Sequence, residues 1–448
     1  MKGGGKAMAD HCKLVHDTYL GILRAEMVPA MGCTEPIAVA YASAMARKVL
    51  GARPESAEIR CSANIVKNVK GVVVPNTGGL RGISAAAVVG IVGGDVERKL
   101  EVLQSVTDAD RAEAKRLIDA GFCKAVLAEG EEGLYVEAIV RAGGESASVV
   151  IRDAHTNVVK ITKNGEVQFD AAAGKAGAAT DGADSKSHNV AGAAGGLDYG
   201  LLNVKDIIEF ADTVDLAEVS GLLEESIRIN EDISEEGLAN DYGASVGKTI
   251  LAAEGGNVRS RAKARAAAGS DARMGGCALP VMINSGSGNQ GLTVSLPVIE
   301  YAREWKVGHE KLLRALLVSN LVALEQKRYI GKLSAYCGAV SASVGSGAGI
   351  AYLSGGGYEQ IASTITNAIA TTSGMVCDGA KSSCAAKIAT AVSSAILAYE
   401  MSVKERGFMA GEGLVGEDVE ATIRNIGQMG SKGMRPTDVE IIKIMLDK

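Results

Sequence analysis

The sequence predicts an α+β protein in which a large, mostly helical domain carries an inserted α+β domain. Strand-like alternation is confined to the first 170 residues, helical periodicity fills nearly everything after residue 200, and an Ala/Gly-rich stretch lies between them. Residues 171–196 hold Val190 as their only sizeable aliphatic side chain. Such a stretch buries too little apolar surface to offset its ordering entropy, so 171–199 reads as a linker or exposed loop, with His188 solvated.

Taken in order, residues 11–52 read as two helices. The first ends near Met27, before Pro29, and the second starts at Pro36, a favoured first-turn residue, with Thr34 or the loop before it as cap. Segments 56–62 and 64–74 alternate like strands, and Asp108–Ala120 is a charged amphipathic helix. Segments 123–128, 134–142, 147–152 and 157–169 are strands, with Asn164-Gly165 as a hairpin turn. This unit spans 54–170. Beyond it, eleven helices are expected between 204 and 447. The run from Gly331 to Glu400 carries charge only at Lys332, Glu359, Asp378, Lys381, Lys387 and Glu400, which marks the central helices of a bundle. Residues 11–52 and 200–448 are therefore assigned to the discontinuous helical domain.

Composition excludes several classes of function. A net charge of −6 and 4% aromatic residues supply neither phosphate neutralisation nor stacking platforms, so nucleic acid is not expected as a partner. The most apolar stretch, Ala335–Leu353, is mostly Gly, Ala, Ser and Val, with few of the large aliphatics of a membrane span. The opening residues MKGGGKAMAD lack the apolar run of a secretory leader, and a cytoplasmic location is expected. In that compartment the eight cysteines are reduced, each by default a small buried hydrophobe.

Some escape that default. Cys33, in Gly32-Cys33-Thr34-Glu35-Pro36, sits where a loop enters a helix N-terminus, whose dipole and free amides favour a thiolate. Cys337 lies between Tyr336 and Gly338 in the least charged part of the chain. Cys377 opens Cys377-Asp378-Gly379-Ala380-Lys381-Ser382-Ser383-Cys384, where Asp378-Gly379 signals a turn and Asp378 is a candidate cap for the helix carrying Cys384. On one continuous helix Cys377 and Cys384 would stand about 10 Å apart along the axis, awkward for two ligands of one ion. No pair has the short spacing of a zinc ribbon. Thiolates drawn from distant segments suit an iron–sulfur cluster; the alternative is that all are packed in the core.

Two further segments concentrate polar groups. Ser270–Gly276, with Arg273, precedes Cys277, and Asn284–Gly291, with Ser285, Ser287 and Asn289, leads into a helix and offers amides and hydroxyls to a carboxylate. It lacks the Lys-Ser/Thr ending of a phosphate loop, and a Gly-rich interhelical turn explains it equally well. In the α+β unit Asn64, Lys67, Asn68, Thr77 and Arg81 gather near turns, where Lys67 and Arg81 are either carboxylate ligands or surface charges.

Together the Gly32–Pro36 turn, Ser270–Gly276, Asn284–Gly291, Cys377 through Cys384 and His155-Thr156-Asn157 resemble the L-cysteine desulfidase family, the serine dehydratase-like alpha proteins. The resemblance spans nearly the whole chain outside the linker. It implies a 4Fe–4S cluster held by three cysteines, mapping onto Cys33, Cys337 and Cys377, with one iron open as a Lewis acid and Cys384 the uncertain fourth. It also implies β-elimination from L-cysteine to pyruvate, ammonia and sulfide, with L-serine dehydration as the alternative. Lys381 and His155 are the candidate bases, and no pyridoxal-phosphate cup is evident. The expected partners are an amino-acid substrate and, in a homo-oligomer, a second copy of the chain. From a different class, a non-catalytic amino-acid-binding or redox-sensing protein also fits.

Overall fold

A computed structural model of the chain describes residues 3–172 and 197–445; most of the expected linker, His188 included, lies outside the described residues. Helix α1 (Gly3–Glu26) leads into a short strand β1 (Pro29–Met31) and helix α2 (Thr34–Leu50). Strand β2 (Ser56–Cys61), helices α3 (Ala63–Lys70), α4 (Ile83–Gly93) and α5 (Asp108–Asp119), and strands β3 (Cys123–Leu127), β4 (Tyr135–Ala142), β5 (Glu145–Arg152), β6 (Val158–Lys163) and β7 (Glu166–Asp170) follow. The sheet runs β3-β2-β4-β5-β6-β7, parallel between β2 and β3 and antiparallel elsewhere. Alternation explains its buried face: Val136, Ala138 and Val140 on β4 point inward with Ala147, Val149 and Ile151 on β5. A reciprocal capping box between Thr107 and Asp110 starts α5.

The C-terminal half is helical: α6 (Val204–Thr213), α7 (Ser220–Ala239), α8 (Val246–Glu254) and α9 (Val258–Met274), then strand β8 (Pro280–Met282). Helices α10 (Gly288–Trp305), α11 (His309–Ile330), α12 (Gly338–Leu353), α13 (Tyr358–Thr372), α14 (Ser383–Val403), α15 (Val419–Gln428) and α16 (Arg435–Met445) complete it. Helix α12 is central, packed among α10, α11, α13 and α14, as its near absence of charge requires. The architecture is α+β with many helices.

Three details differ from expectation. Residues 64–70 are helix, because Ile65, Asn68 and Val69 recur at helical spacing and bury one face. Helix α4, almost wholly apolar, lacks the alternation that marks a strand or a half-exposed helix, so no element was expected there. The apolar residues of 11–52 are divided: Tyr19, Ile22 and Leu23 of α1 join the core of the C-terminal helices, whereas Ile37, Val39 and Ala40 of α2 join the sheet. The boundary between the two cores falls between α1 and α2, and β1 bridges it by pairing antiparallel with β8, Pro29 opposite Met282 and Met31 opposite Pro280.

Candidate active site

Cys33 is the N-cap of α2, buried, at the seam between the two cores. Three ties hold its turn against the helical half. One is the β1–β8 ribbon, the second is Arg273 Nε donating to the Gly32 carbonyl at 2.8 Å, and the third is Thr34 Oγ1 donating to the Gly286 carbonyl at 2.9 Å. Cys337 and Cys377, forty residues apart in sequence, are brought together by an isolated antiparallel bridge between Tyr336 and Val376. In it the Cys337 amide donates to the Met375 carbonyl, and the Cys377 amide to the Ala335 carbonyl. Cys337 then caps α12, and Cys384 sits in the first turn of α14.

All four of these cysteines line one cavity of about 100 Å³. Lys67, Asn68, Arg273, Ser287 and Asn289 line it as well. Two glycines allow this convergence. A Cβ on Gly379, whose φ is +93°, would stand 2.4 Å from the Lys67 carbonyl oxygen, and one on Gly338 would stand 2.8 Å from the Gln290 carboxamide carbon.

A second cavity of about 220 Å³ adjoins the first and shares Glu35, Ser287, Lys327, Lys332 and Leu333 with it. His155 and Ser285 line this outer cavity. His155 is buried with Nε2 unpartnered, and its ring faces Gly286 closely enough that a Cβ there would lie 3.2 Å from Cε1. Glu26, paired with Lys332 at 3.1 Å and accepting from Tyr199 at 2.7 Å, closes part of the wall.

Four sequence candidates stand apart from both cavities. Thr77 donates to the Val74 carbonyl and stabilises its turn, and Arg81 is exposed and donates to the Gly71 carbonyl. Asn64 lines neither cavity, although its Oδ1 is buried without a partner. Lys381 is tied to the Asp378 carboxylate at 2.5 Å and to the Asp378 and Gly379 carbonyls. Asp378 does not cap the following helix, which begins at Ser383; it is held instead by Lys381 and Lys387.

Residues not singled out from the sequence complete the site. Glu35 accepts from Cys33 Sγ at 3.2 Å, from Thr34 at 3.1 Å and from Asn68 at 2.9 Å. Burial opposes its charge, but His155, the Cys33 thiol and Arg273 hold its carboxyl below the ordinary value. Gln290 presents an unpartnered Oε1 and Tyr336 an unpartnered hydroxyl. Lys327, at the wall between the cavities, lies in the polar run Glu325-Gln326-Lys327-Arg328, a pattern that in a helix normally marks a solvated face, yet Glu325, Gln326 and Lys327 are all buried.

The electrostatics are those of an assembled donor set. Burial drives the Cys33 and Cys384 thiols upward, and burial with Cys377 and Cys384 nearby pushes Cys337 up to about 12. Helix N-termini at Cys33 and Cys337 favour thiolates, but burial outweighs them while no cation replaces the proton. Among the described residues no three Cys, His, Asp or Glu side chains stand close enough to hold a single metal ion. A multi-iron cluster spreads its ligands more widely, and four thiols on one cavity beside Lys67 and Arg273 provide the donors and countercharge it needs. The residues present fit such a group.

The class of protein is given by sequence relatives: the chain belongs to the serine dehydratase alpha-chain family, a lyase-related family whose profile matches residues 97–443. Its similarity to individual proteins is extensive. It is 51% identical over 433 residues to a UPF0597 protein of Lachnoclostridium phytofermentans, covering 97% of this chain and all of that one. It is 44% identical over 440 residues to one of Treponema denticola, covering 97% and 99% of the two chains. A UPF0597 protein of Bacteroides fragilis is 39% identical over 435 residues, 96% of this chain and 97% of the other. Among the described residues no helix is long and apolar enough to cross a membrane.

Proposed function

We propose that the chain is an iron–sulfur-dependent β-eliminating lyase that converts L-cysteine to pyruvate, ammonia and sulfide. The observation that carries this reading is the convergence of Cys33, Cys337, Cys377 and Cys384 on one cavity next to a larger one. Cys33, Cys337 and Cys377 would hold a 4Fe–4S cluster, with Cys384 beside them. When bound, it supplies a Lewis-acidic iron that draws electron density from the leaving group or the carboxylate.

The protein's own groups do the rest. The Ser285–Ser287 turn at the N-terminus of α10 offers its serine hydroxyls to the substrate carboxylate, the Ser287 amide being engaged by the Asn284 carbonyl. Glu26 and Glu35 on the outer wall favour the substrate ammonium. Asn289 Oδ1 and Gln290 Oε1, buried and unpartnered, are acceptors that a bound polar molecule would satisfy. Partial enclosure of the cavity restricts water around the reacting carbons.

L-serine dehydration is the second reading, favoured by the name of the matching family. Anaerobic reconstitution, an iron count, and sulfide and pyruvate release from L-cysteine and L-serine separate the two. Sulfide at turnover rates, abolished by air and by Cys337→Ala, supports the desulfidase. Pyruvate from serine alone moves the assignment to a dehydratase. Bound iron with no product from either leaves a binding or redox-sensing protein.

A further inference from the structure

Elimination requires a group that removes the Cα proton, and the wall between the two cavities contains one without another engagement. Glu35 there is held by Cys33, Thr34 and Asn68, and Lys332 is paired with Glu26. Arg328, next along α11, donates to the Tyr199 carbonyl. Lys327 is 4% exposed and makes no side-chain hydrogen bond or ion pair among the described residues, yet it borders both cavities. With no carboxylate bonded to it among the described residues, the amine is left facing the cavities, and its low exposure disfavours the charged form.

We propose that Lys327 is the catalytic residue that takes the Cα proton, acting on an amino acid seated in the outer cavity with its Cβ toward the thiols. This rests on the lyase reading above. A cofactor held by the thiols would take up the inner cavity of about 100 Å³, which leaves the outer one, about 220 Å³, for the substrate. Lys327 lies on the boundary, where Cα of a substrate bridging the two would be. Burial disfavours the charged form of its amine, which suits a proton acceptor, with Cys377, Cys337 and Glu26 opposing that shift and Lys332 adding to it. His155 and Glu35 face the same outer cavity, from the loop after β5 and from α2.

The step balances without an oxidant or reductant. The Lys327 amine accepts the proton, the C–H electron pair becomes the Cα=Cβ bond, and the Cβ–S bond breaks with its pair leaving on sulfur as hydrosulfide. The resulting 2-aminoacrylate tautomerises to an imine, and water releases pyruvate and ammonium. With serine the hydroxyl leaves instead and, with a proton, departs as water.

Lys327→Met and Lys327→Arg, reconstituted anaerobically beside the unaltered protein, test the assignment. Both are expected to retain bound iron and the change in its absorption when cysteine is added, with KM within about threefold. Their kcat should fall by about 10²–10⁴, the usual contribution of a positioned base. Turnover within tenfold of the parent in Lys327→Arg would show that only the positive charge matters and overturn the proposal. So would a raised KM with kcat intact, which marks a carboxylate anchor, or loss of iron from both variants, which marks a residue that holds the site together. A parent protein that binds iron but transforms neither cysteine nor serine defeats the lyase reading and this assignment with it. An active parent with active variants defeats the assignment alone.

Discussion

The two cores are packed by different means. In the helical half backbones approach one another directly: a Cβ on Gly345 of α12 would lie 2.3 Å from the Ser319 carbonyl oxygen of α11, and one on Gly237 of α7 would lie 2.0 Å from the Ala268 carbonyl oxygen of α9. In the sheet half such an approach is made only where helix meets helix, a Cβ on Gly90 of α4 standing 2.3 Å from the Ala40 carbonyl oxygen of α2. Against the sheet itself, branched side chains such as Ile59, Val136 and Val149 fill the space. Backbone-to-backbone fit leaves little slack, whereas side chains can repack. The half with less slack is also the one that contributes Cys337, Cys377 and Cys384, while the sheet half brings Cys33 and Glu35.

The largest expected effect tests whether both halves are needed at the thiol cavity. Cys337→Ser, Cys377→Ser and Cys33→Ser should each lose most of the iron retained after anaerobic reconstitution and lower turnover by at least about a hundredfold, while Cys61→Ser, inside the sheet core, should alter neither. An iron count and activity intact in Cys33→Ser would show that the sheet half donates no ligand. The contrast in packing comes next. Gly345→Ala should cost about 2–3 kcal/mol in denaturant unfolding, and the volume-conserving Ile59→Leu less than about 1.5 kcal/mol. Equal costs would erase the distinction between the cores.

Asp271 gives a smaller, pH-dependent effect. Its Oδ2 accepts from the Gly247 amide at the start of α8, its Oδ1 has no partner, and burial raises its pKa to about 6. The folded state therefore holds this proton more tightly than the unfolded chain does. Its contribution, on the order of 2–3 kcal/mol, is present below about pH 4 and lost as pH rises to about 6. Asp271→Asn should flatten stability across that window; an unchanged slope would show that another group is responsible. The smallest effect is expected for exposed Arg81, which contacts neither cavity: Arg81→Ala should shift stability by no more than about 0.5 kcal/mol and turnover by less than twofold.

The sequence made the elements of the site more legible than its wiring. Helix boundaries around Cys33 and the strands of the sheet follow from local periodicity and turn residues, and the structure shows both. Convergence on one cavity depends on contacts remote in sequence: the Tyr336–Val376 bridge, the Arg273–Gly32 hydrogen bond and the β1–β8 ribbon. Segment 64–74 alternates like a strand because its Ile and Val residues carry β-propensity, whereas burial of one helical face makes Ala63–Lys70 a helix. Lys327 escaped notice because its identity says nothing of its burial. Lys381 lies close to Cys377 in sequence and Arg81 in a polar turn, but their partners are backbone carbonyls or a neighbouring carboxylate.

The β1–β8 ribbon has a consequence for the order of assembly. Chains emerge from the ribosome N-terminus first, at about 5–20 residues per second. Pro29–Met31 must therefore wait for Pro280–Met282, some 250 residues later, before its edge is paired. During that delay of tens of seconds, the Cys33 turn has neither its strand partner nor the Arg273 donor. A chain interrupted before residue 280 would leave that edge unpaired, so the Cys33 turn reaches its final setting only once Met282 has emerged.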